Sequence, residues 1–161
     1  MIRDATEGDL PAILAIANEV IAHSTAIYLD EPFTLDDRRQ WMLGRQAQGY
    51  PVVVEVNQGE VVGFSSFGDF RPYWGYRHTV EHSVHIRADQ RGRGAGRRLV
   101  QALFPRAAAL GKHVMLGAID ADNAGSIAFH EKLGFERAPT LREVGRKFDL
   151  WLDLVFMQKQ M

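Results

Sequence analysis

A strand, a glycine-rich turn and a helix follow one another directly between Thr79 and Arg98, and this succession most constrains what the chain can fold into. Polar and apolar residues alternate from Thr79 to Ile86, which is typical of a β-strand. The turn, RGRGAG at 91–96, contains three glycines, so its backbone can approach a ligand closely. A helix that begins near Gly94 directs free backbone N–H groups towards this turn. We therefore expect an anion site here, above all for a phosphate.

Helices and strands are also predicted before this segment. Apolar residues recur at helical spacing over 10–21, and a second helix is predicted from a capping pattern at 34–37 to a glycine stop at position 49. Two β-branched runs within 50–68 indicate a hairpin. The loop 69–78 is rich in aromatic and basic residues, so we expect it to cover a pocket or a partner surface, or to cap the core.

The remaining elements complete an α/β pattern. After the glycine turn we expect a helix over 94–111, a strand over 112–119 and a short helix over 124–133. A closing hairpin is predicted from strands 141–144 and 148–156, with its turn between them. Strands and helices in this order form a mixed α/β sheet.

Composition limits the classes of protein to which the chain can belong. Its 161 residues are most economically one domain, 1–161. With 19 basic and 20 acidic residues the net charge is −1, which gives no reason to expect binding to nucleic acid or to an anionic membrane. The absence of cysteine excludes disulfides, thiolate metal sites and cysteine nucleophiles. No apolar run is long enough to span a bilayer and the first residues are polar, so we expect a cytoplasmic protein.

Two common phosphate-binding motifs fail at the glycine turn. A Walker loop needs a Gly-Lys-Ser/Thr end, which is absent, and a dinucleotide fingerprint starting at Gly92 would need glycine where Arg97 stands. The pattern Arg/Gln-x-x-Gly-x-Gly/Ala after a strand is met by 91–96. A second segment, 123–135 (NAGSIAFHEKLGF), follows the form N-x-x-A/S-x-x-x-Y-x-x-x-G-F, with histidine in place of tyrosine. Together these segments resemble the GCN5-related N-acetyltransferase (GNAT) superfamily.

The resemblance covers nearly the whole chain and narrows to one branch. Ser24-Thr25, Glu31-Pro32, the segment 79–81 and His130 resemble the phosphinothricin and methionine sulfoximine acetyltransferases. The fold implied is the α/β GNAT fold, a mixed, mostly antiparallel sheet of about six to seven strands flanked by about four helices. The resemblance also implies a homodimer and acetyl-coenzyme A as the acyl donor.

Donor binding follows from the same resemblance. The turn would hold the pyrophosphate, the backbone of the preceding strand would pair with the pantetheine arm, and the helix after Asn123 would contact the arm's far end. Asn123 and His130 are two helical turns apart, about 10.5 Å, so the arm could place its sulfur at His130. The donor-binding residues predicted in this way are Val84, His85, Ile86, Arg91, Gly92, Arg93, Gly94, Ala95, Gly96, Arg97, Asn123 and Ser126.

Glu81 and His130 are the predicted catalytic residues. Acetyl transfer to an amine needs a base for the ammonium and an acid for the leaving thiolate. Glu81 lies on the polar side of the strand, where a carboxylate is unusual unless it is exposed or used, and His82 is the alternative base. His130 stands where the family's tyrosine acts as the acid, and histidine titrates nearer neutrality. The predicted acceptor-binding residues are Arg71, Tyr73, Phe33, Thr34 and His82.

The predicted activity is acetyl-coenzyme A-dependent transfer, without an acyl-enzyme, to the α-amine of a small amino acid such as phosphinothricin, methionine sulfoximine or methionine sulfone. Alternatives are another amine, namely a protein N-terminus or a polyamine, and a non-catalytic acyl-coenzyme A sensor. An RNA-binding arginine-glycine segment has only one short copy here and no basic surplus to support it. His78, His82 and His85 do not indicate a metal site, because His82 and His85 face opposite sides of a strand and no carboxylate cluster accompanies them.

Overall fold

A seven-stranded sheet forms the centre of the computed structural model, which describes residues 1–161. The strands are Ile2–Asp4 (β1), Val52–Asn57 (β2), Glu60–Asp69 (β3), Thr79–Ile86 (β4), Val114–Asp120 (β5), Glu136–Lys147 (β6) and Leu150–Gln160 (β7). The helices are Leu10–His23 (α1), Leu35–Ala47 (α2), Ala95–Ala109 (α3) and Ala124–Lys132 (α4). The order in the sheet is β1-β2-β3-β4-β5-β7-β6, and every neighbouring pair except β4 and β5 is antiparallel. The predicted fold class is confirmed.

Capping boxes begin the two opening helical segments. Thr34 accepts a hydrogen bond at Oγ1 from the Asp37 backbone N–H at 3.1 Å and donates its own N–H to the Asp37 carboxylate at 2.7 Å. The Thr6 N–H donates to Asp9 in the same way, at 2.7 Å, across a short 3-10 turn that leads into α1. A cap of this kind stabilises a helix by about 1 kcal/mol.

The sheet is covered on both faces, so its central strands are apolar on both sides. Val53 faces the core under α3 and α4, whereas its neighbours Val52 and Val54 face the core under α1 and α2. The same alternation along β4 puts Val80 into the α3 and α4 core. Successive residues of one strand therefore serve different faces of the molecule.

The closing hairpin turns later than the sequence indicates. The prediction of a turn at 145–147 is wrong, because β6 continues to Lys147 and the chain reverses at Phe148 and Asp149. Both turn residues have positive φ, 51° and 59°, as two-residue hairpin turns of the primed type require. Gly145 instead lies within β6, where a Cβ would come within 2.3 Å of the Tyr28 ring. Glycine is needed there for packing and not for a turn.

The central strands β4 and β5 separate along their length. They pair in parallel from Thr79 opposite Val114 to His82 opposite Gly117, and no pairing follows. Beyond that point the β4 residues 83–86 keep only β3 as a neighbour, and the end of β5 keeps only β7. The sheet therefore contains a wedge-shaped cleft that opens from His82 and Gly117.

None of the helices is both long and apolar enough to cross a membrane.

Candidate active site

Two adjoining cavities occupy the cleft between β4 and β5. The inner one has a volume of about 410 Å³ and contains Glu81, His82 and His130 in its wall. The outer one has a volume of about 710 Å³ and extends to the glycine turn. Both volumes lie in the range of small-molecule sites. The residues that line both cavities are Ala26, Val84, His85, Asn123 and Ser126.

The outer cavity ends on unpaired backbone amides. None of the N–H groups from Gly92 to Arg97 donates a hydrogen bond within the chain, and the first one of the helix to do so is that of Arg98, to the Gly94 carbonyl at 3.1 Å. Gly94 has φ 80°, a left-handed conformation that glycine adopts without strain. Free amides at the start of α3, together with its dipole, fit a phosphate group.

The arginines of the turn differ in their placement. Arg97 lines the outer cavity and makes no ion pair. Arg91 also lines it, but its guanidinium donates to Glu19 at 2.9 Å and to the Ile86 carbonyl at 3.2 Å. Arg93 lines a separate hollow of about 220 Å³ with Glu55 and Arg98 and does not line the outer cavity. Arg97 is therefore the guanidinium best placed to meet an anion in this cavity.

The walls of the cleft contain the other predicted donor-binding residues. Val84 and His85 lie in the part of β4 that has no partner on the β5 side, and Ile86 follows them at the outer cavity. On the opposite wall, Asn123 caps α4 by accepting a hydrogen bond from the Ser126 N–H at 3.0 Å. The free strand edge fits an extended amide-containing chain, which would add to β4 as a strand does.

Glu81 lies beside an arginine that has no ion-pair partner. Glu81 pairs across the sheet with Gly68 of β3. The guanidinium of Arg45 occupies the space beside Gly68 on the same face, since a Cβ at Gly68 would lie 1.9 Å from Nη1 of Arg45. Burial raises the pKa of Glu81, and the positive charge of Arg45 opposes this rise. Burial also lowers the pKa of the Arg45 guanidinium, whose Nε has no hydrogen-bond partner. Glu81 is thus a partly desolvated carboxylate, as expected of a base that works near neutral pH.

His82 and His130 are in direct contact. Their Nε2 atoms are 3.0 Å apart, and both rings are buried against the ring of Phe135. Nδ1 of His130 lies 2.7 Å from the Ser126 carbonyl. Glycine at position 117 leaves room for the contact, because a Cβ there would lie at the tight distance of 3.1 Å from each Nε2. Burial lowers the pKa of both rings, that of His82 to about 3, so the pair is neutral at pH 7.

This arrangement can be compared with known proteins. Residues 13–135 match the model of the acetyltransferase (GNAT) family. The chain belongs to the GNAT family. The L-methionine sulfoximine/L-methionine sulfone acetyltransferase of Pseudomonas paraeruginosa is 52% identical over 158 residues, which cover 98% of this chain and 92% of that protein.

Solved structures of the family superpose closely. The ribosomal-protein-alanine N-acetyltransferase from Brucella melitensis is 46% identical with a TM-score of 0.98, over 100% of this chain and 99% of that one. Another solved structure is that of the GNAT superfamily phosphinothricin acetyltransferase from Sinorhizobium meliloti in complex with AcCoA. It is 33% identical with a TM-score of 0.96, and the match covers 100% of this chain and 88% of that one. The predicted family, branch and enzyme class, an acyltransferase, are therefore confirmed.

Four predicted acceptor-binding residues lie outside the cleft between β4 and β5. Arg71 and Tyr73 line a separate groove of about 470 Å³, and Tyr73 is 75% exposed. Phe33 packs under the guanidinium of Arg38, 3.7 Å from the ring centre, and Thr34 caps α2. His82 is the exception among the predicted acceptor-binding residues, since it lines the inner cavity. Contact of the other four with an acceptor stays a prediction.

A segment that the sequence leaves without a role closes the inner cavity. Ala26, Ile27 and Tyr28 line it from the loop after α1. The Tyr28 hydroxyl donates to the Asp153 carbonyl at 3.2 Å, and burial raises its pKa to about 12. The packing of Tyr28 against Gly145 in β6 could not be predicted from the local sequence pattern, because the two residues are far apart in the chain.

Buried Lys147 holds the same segment in place. Its Nζ donates to the carbonyls of Ser24 at 2.6 Å and Ile27 at 2.7 Å. The Thr25 hydroxyl donates to the carboxylate of Asp120 at the end of β5. No group of three or more His, Asp or Glu side chains comes together as a metal site.

Proposed function

We propose that the protein transfers the acetyl group of acetyl-coenzyme A directly to the α-amine of a small amino acid of the methionine sulfoximine, methionine sulfone or phosphinothricin type. The observation that carries the proposal is the cleft between β4 and β5, which joins the free amides of residues 92–97 to Glu81 and to the histidine pair. The names of the Pseudomonas and Sinorhizobium relatives support this class of acceptor.

The cleft offers acetyl-coenzyme A a complementary surface. The amides of 92–97 and Arg97 would hold its phosphates, the free edge of 83–86 would pair with its amide-containing arm, and Asn123 and Ser126 would line the opposite side. When bound, acetyl-coenzyme A supplies an activated acetyl thioester.

Glu81 is the proposed base. An amino-acid amine arrives largely as an ammonium ion, which must lose a proton before it can attack. The carboxylate lines the inner cavity, and its raised pKa strengthens it as a proton acceptor. His130 is the proposed source of the proton that the sulfur takes when the C–S bond breaks, because it lines the same cavity from α4.

A thiol-release assay tests the proposal. Purified protein and acetyl-coenzyme A would be incubated with methionine sulfoximine, methionine sulfone, phosphinothricin, unmodified amino acids, polyamines and peptides. We expect the first three to give the highest kcat/KM. Highest activity on a peptide amine would instead support a protein N-terminus as the acceptor, in line with the name of the Brucella relative, a ribosomal-protein-alanine N-acetyltransferase. No thiol release with any amine would favour an acyl-coenzyme A sensor.

Replacement of Glu81 tests its role directly. Glu81→Gln keeps the size of the side chain and removes its basicity, so we expect kcat to fall by about 100-fold. The dissociation constant of acetyl-coenzyme A, measured by calorimetry, should stay near that of the wild type. Exposed Glu131 provides a matched control, and Glu131→Gln should leave both constants unchanged. A Glu81→Gln enzyme with wild-type turnover at every pH would contradict the assignment.

A homodimer in the cytoplasm is the proposed state of the enzyme. The β6–β7 hairpin exposes apolar side chains, including Phe148, Leu150 and Trp151, which are 48%, 58% and 61% exposed, and β6 is an edge strand. Patches of this kind mark interaction surfaces. Sedimentation equilibrium should give twice the chain mass of 18.1 kDa. The cytoplasm is proposed because acetyl-coenzyme A is a cytoplasmic metabolite.

A further inference from the structure

The contact between His82 and His130 fixes where both rings carry their protons. The Ser126 carbonyl can only accept a hydrogen bond, so Nδ1 of His130 at 2.7 Å must be the donor. A neutral imidazole has one N–H, which leaves Nε2 of His130 as an acceptor. The 3.0 Å contact between the two Nε2 atoms then requires that His82 donates from its own Nε2. Nδ1 of His82 is consequently left without a proton.

The unprotonated Nδ1 of His82 has no hydrogen-bond partner. Nδ1 of His82 is buried and unsatisfied, which is uncommon for a polar atom in a protein interior. It is also the one nitrogen of the pair that can take up a proton without first losing a bond. The pair therefore gains its next proton at His82 and not at His130.

The surroundings keep the pair neutral until a proton is delivered. Phe135 packs against both rings, and Phe129 packs against His130. The titratable groups that act on His82 are His130 and His85, and neither carries a negative charge. Burial lowers the pKa of each ring of the pair. A protonated pair is thus short-lived, as a proton relay requires.

We propose that His82 is a positioning residue that relays a proton to His130. A proton enters at Nδ1 of His82, the proton on its Nε2 crosses to Nε2 of His130, and His130 passes it on to the sulfur. Without uptake at His82, the same crossing would leave an imidazolate, and the only other proton of His130 is held by the Ser126 carbonyl. The inference rests on the proposed acetyl transfer and adds a residue to it.

The relay balances the reaction. The acceptor nitrogen loses a proton as its bond to the acetyl carbon forms, and the sulfur gains one as the C–S bond breaks. The proton that the acceptor nitrogen loses passes to Glu81 and then to solvent, while the relay takes up one proton from solvent at Nδ1 of His82 and delivers one to the sulfur. Both rings are then neutral, with His82 protonated at Nδ1, and the loss of this proton to solvent with uptake of another at Nε2 restores the starting form. No further reactant is required.

The protonation of the two rings can be measured without any activity. In the free wild-type enzyme at pH 7, ¹⁵N NMR of the histidine rings should show protonated Nδ1 on His130 and protonated Nε2 on His82. Spectra of His82→Gln and His130→Phe would assign the signals. A His82 ring with its proton on Nδ1 would overturn the proposal, because its Nε2 would then have none to pass on.

Turnover of matched variants tests the relay itself. His82→Gln retains an amide N–H that can donate to His130 but cannot exchange protons, whereas His82→Phe retains only bulk. We expect kcat of His82→Gln to fall as far as that of His130→Phe, by about 100-fold, with an unchanged KM for acetyl-coenzyme A. The double variant His82→Gln/His130→Phe should lose no more than either single variant, since both remove the same step.

The outcomes separate the relay from the proposed function. Wild-type turnover in His82→Gln, or losses that multiply in the double variant, would overturn the relay and leave acetyl transfer standing. If the wild-type enzyme acetylated no acceptor, the proposed function would fall, and the NMR spectra would still decide the positions of the ring protons.

Discussion

At the scale of single residues, the charge of Arg45 is expected to set the pH at which Glu81 works. The guanidinium lies over Gly68, directly beside Glu81 in the sheet, and it opposes the rise in the Glu81 pKa that burial causes. Arg45→Met should therefore raise this pKa further. Because the base must be deprotonated, the acidic limb of the kcat/KM profile should move to higher pH.

A neighbouring arginine serves as the control for this measurement. Arg39 lies on the same helix and forms only long, exposed ion pairs with Glu7 and Asp36, both at 3.8 Å. Arg39→Met should leave the pH profile of kcat/KM unchanged. Identical profiles for Arg45→Met and the wild type would show that Arg45 does not act on the base.

The sequence predicted some residues of the candidate site and could not predict others. The alternation along β4 placed Glu81 and His82 on opposite faces, as the structure has them, because strand parity is a local property. Arg45 was missed because it reaches Glu81 from another element. The His82–His130 contact was missed for the same reason, since 48 positions separate the two residues.

At the scale of elements, the loop after α1 depends on a lysine of β6. The ammonium of Lys147 satisfies two carbonyls of this loop, those of Ser24 and Ile27. Lys147→Met would leave them without a donor, at a cost of about 1–3 kcal/mol for a buried unsatisfied group. Since the loop lines the inner cavity, we expect faster hydrogen exchange of amides 24–30 and a higher KM for the acceptor.

Lys132 provides the control for the loop experiment. It is exposed at the end of α4, so Lys132→Met should change neither the exchange of amides 24–30 nor the KM. If Lys147→Met lowered overall stability but left exchange in this loop at the wild-type rate, Lys147 would have no particular role in holding the loop.

Helix bounds were predictable within a few residues, whereas the closing hairpin was not. Caps and glycine stops are local signals, and they set α2 at Leu35–Ala47 and α4 at Ala124–Lys132. In β6 the local signal was misleading, because Gly145 indicates a turn by itself but is a packing site for Tyr28. Tertiary contact thus decided where the hairpin reverses.

At the scale of the whole molecule, buried histidines should make the fold sensitive to acid. Burial lowers the pKa of His82 to about 3 and that of His85 to about 4, and it also lowers the pKa of His130, from an ordinary value of 6.5. Below pH 6.5 these three histidines bind protons in the unfolded chain but stay largely neutral in the folded chain. The free energy of unfolding should therefore fall with falling pH.

The size of this effect can be measured by urea unfolding at pH 7 and pH 5. A histidine that stays neutral in the folded state at pH 5 loses about 2 kcal/mol of stability over this interval. Asp9, whose pKa its ion pair with Arg3 lowers to about 2, contributes fully at both pH values. The raised pKa of Glu81 acts in the opposite direction, because its protonation as the pH falls favours the folded chain. The net result should still be a lower urea midpoint at pH 5.

Replacing one buried histidine separates this contribution from the rest. His82→Gln removes one group that must stay neutral, so the difference in unfolding free energy between pH 7 and pH 5 should shrink by about 2 kcal/mol. His23 is exposed at the end of α1, and His23→Gln should leave that difference as it is in the wild type. If His82→Gln kept the full difference, His82 would take up a proton as readily in the folded chain as in the unfolded one. The histidine pair would then be charged at pH 5, and burial would not be sufficient to keep it neutral at that pH.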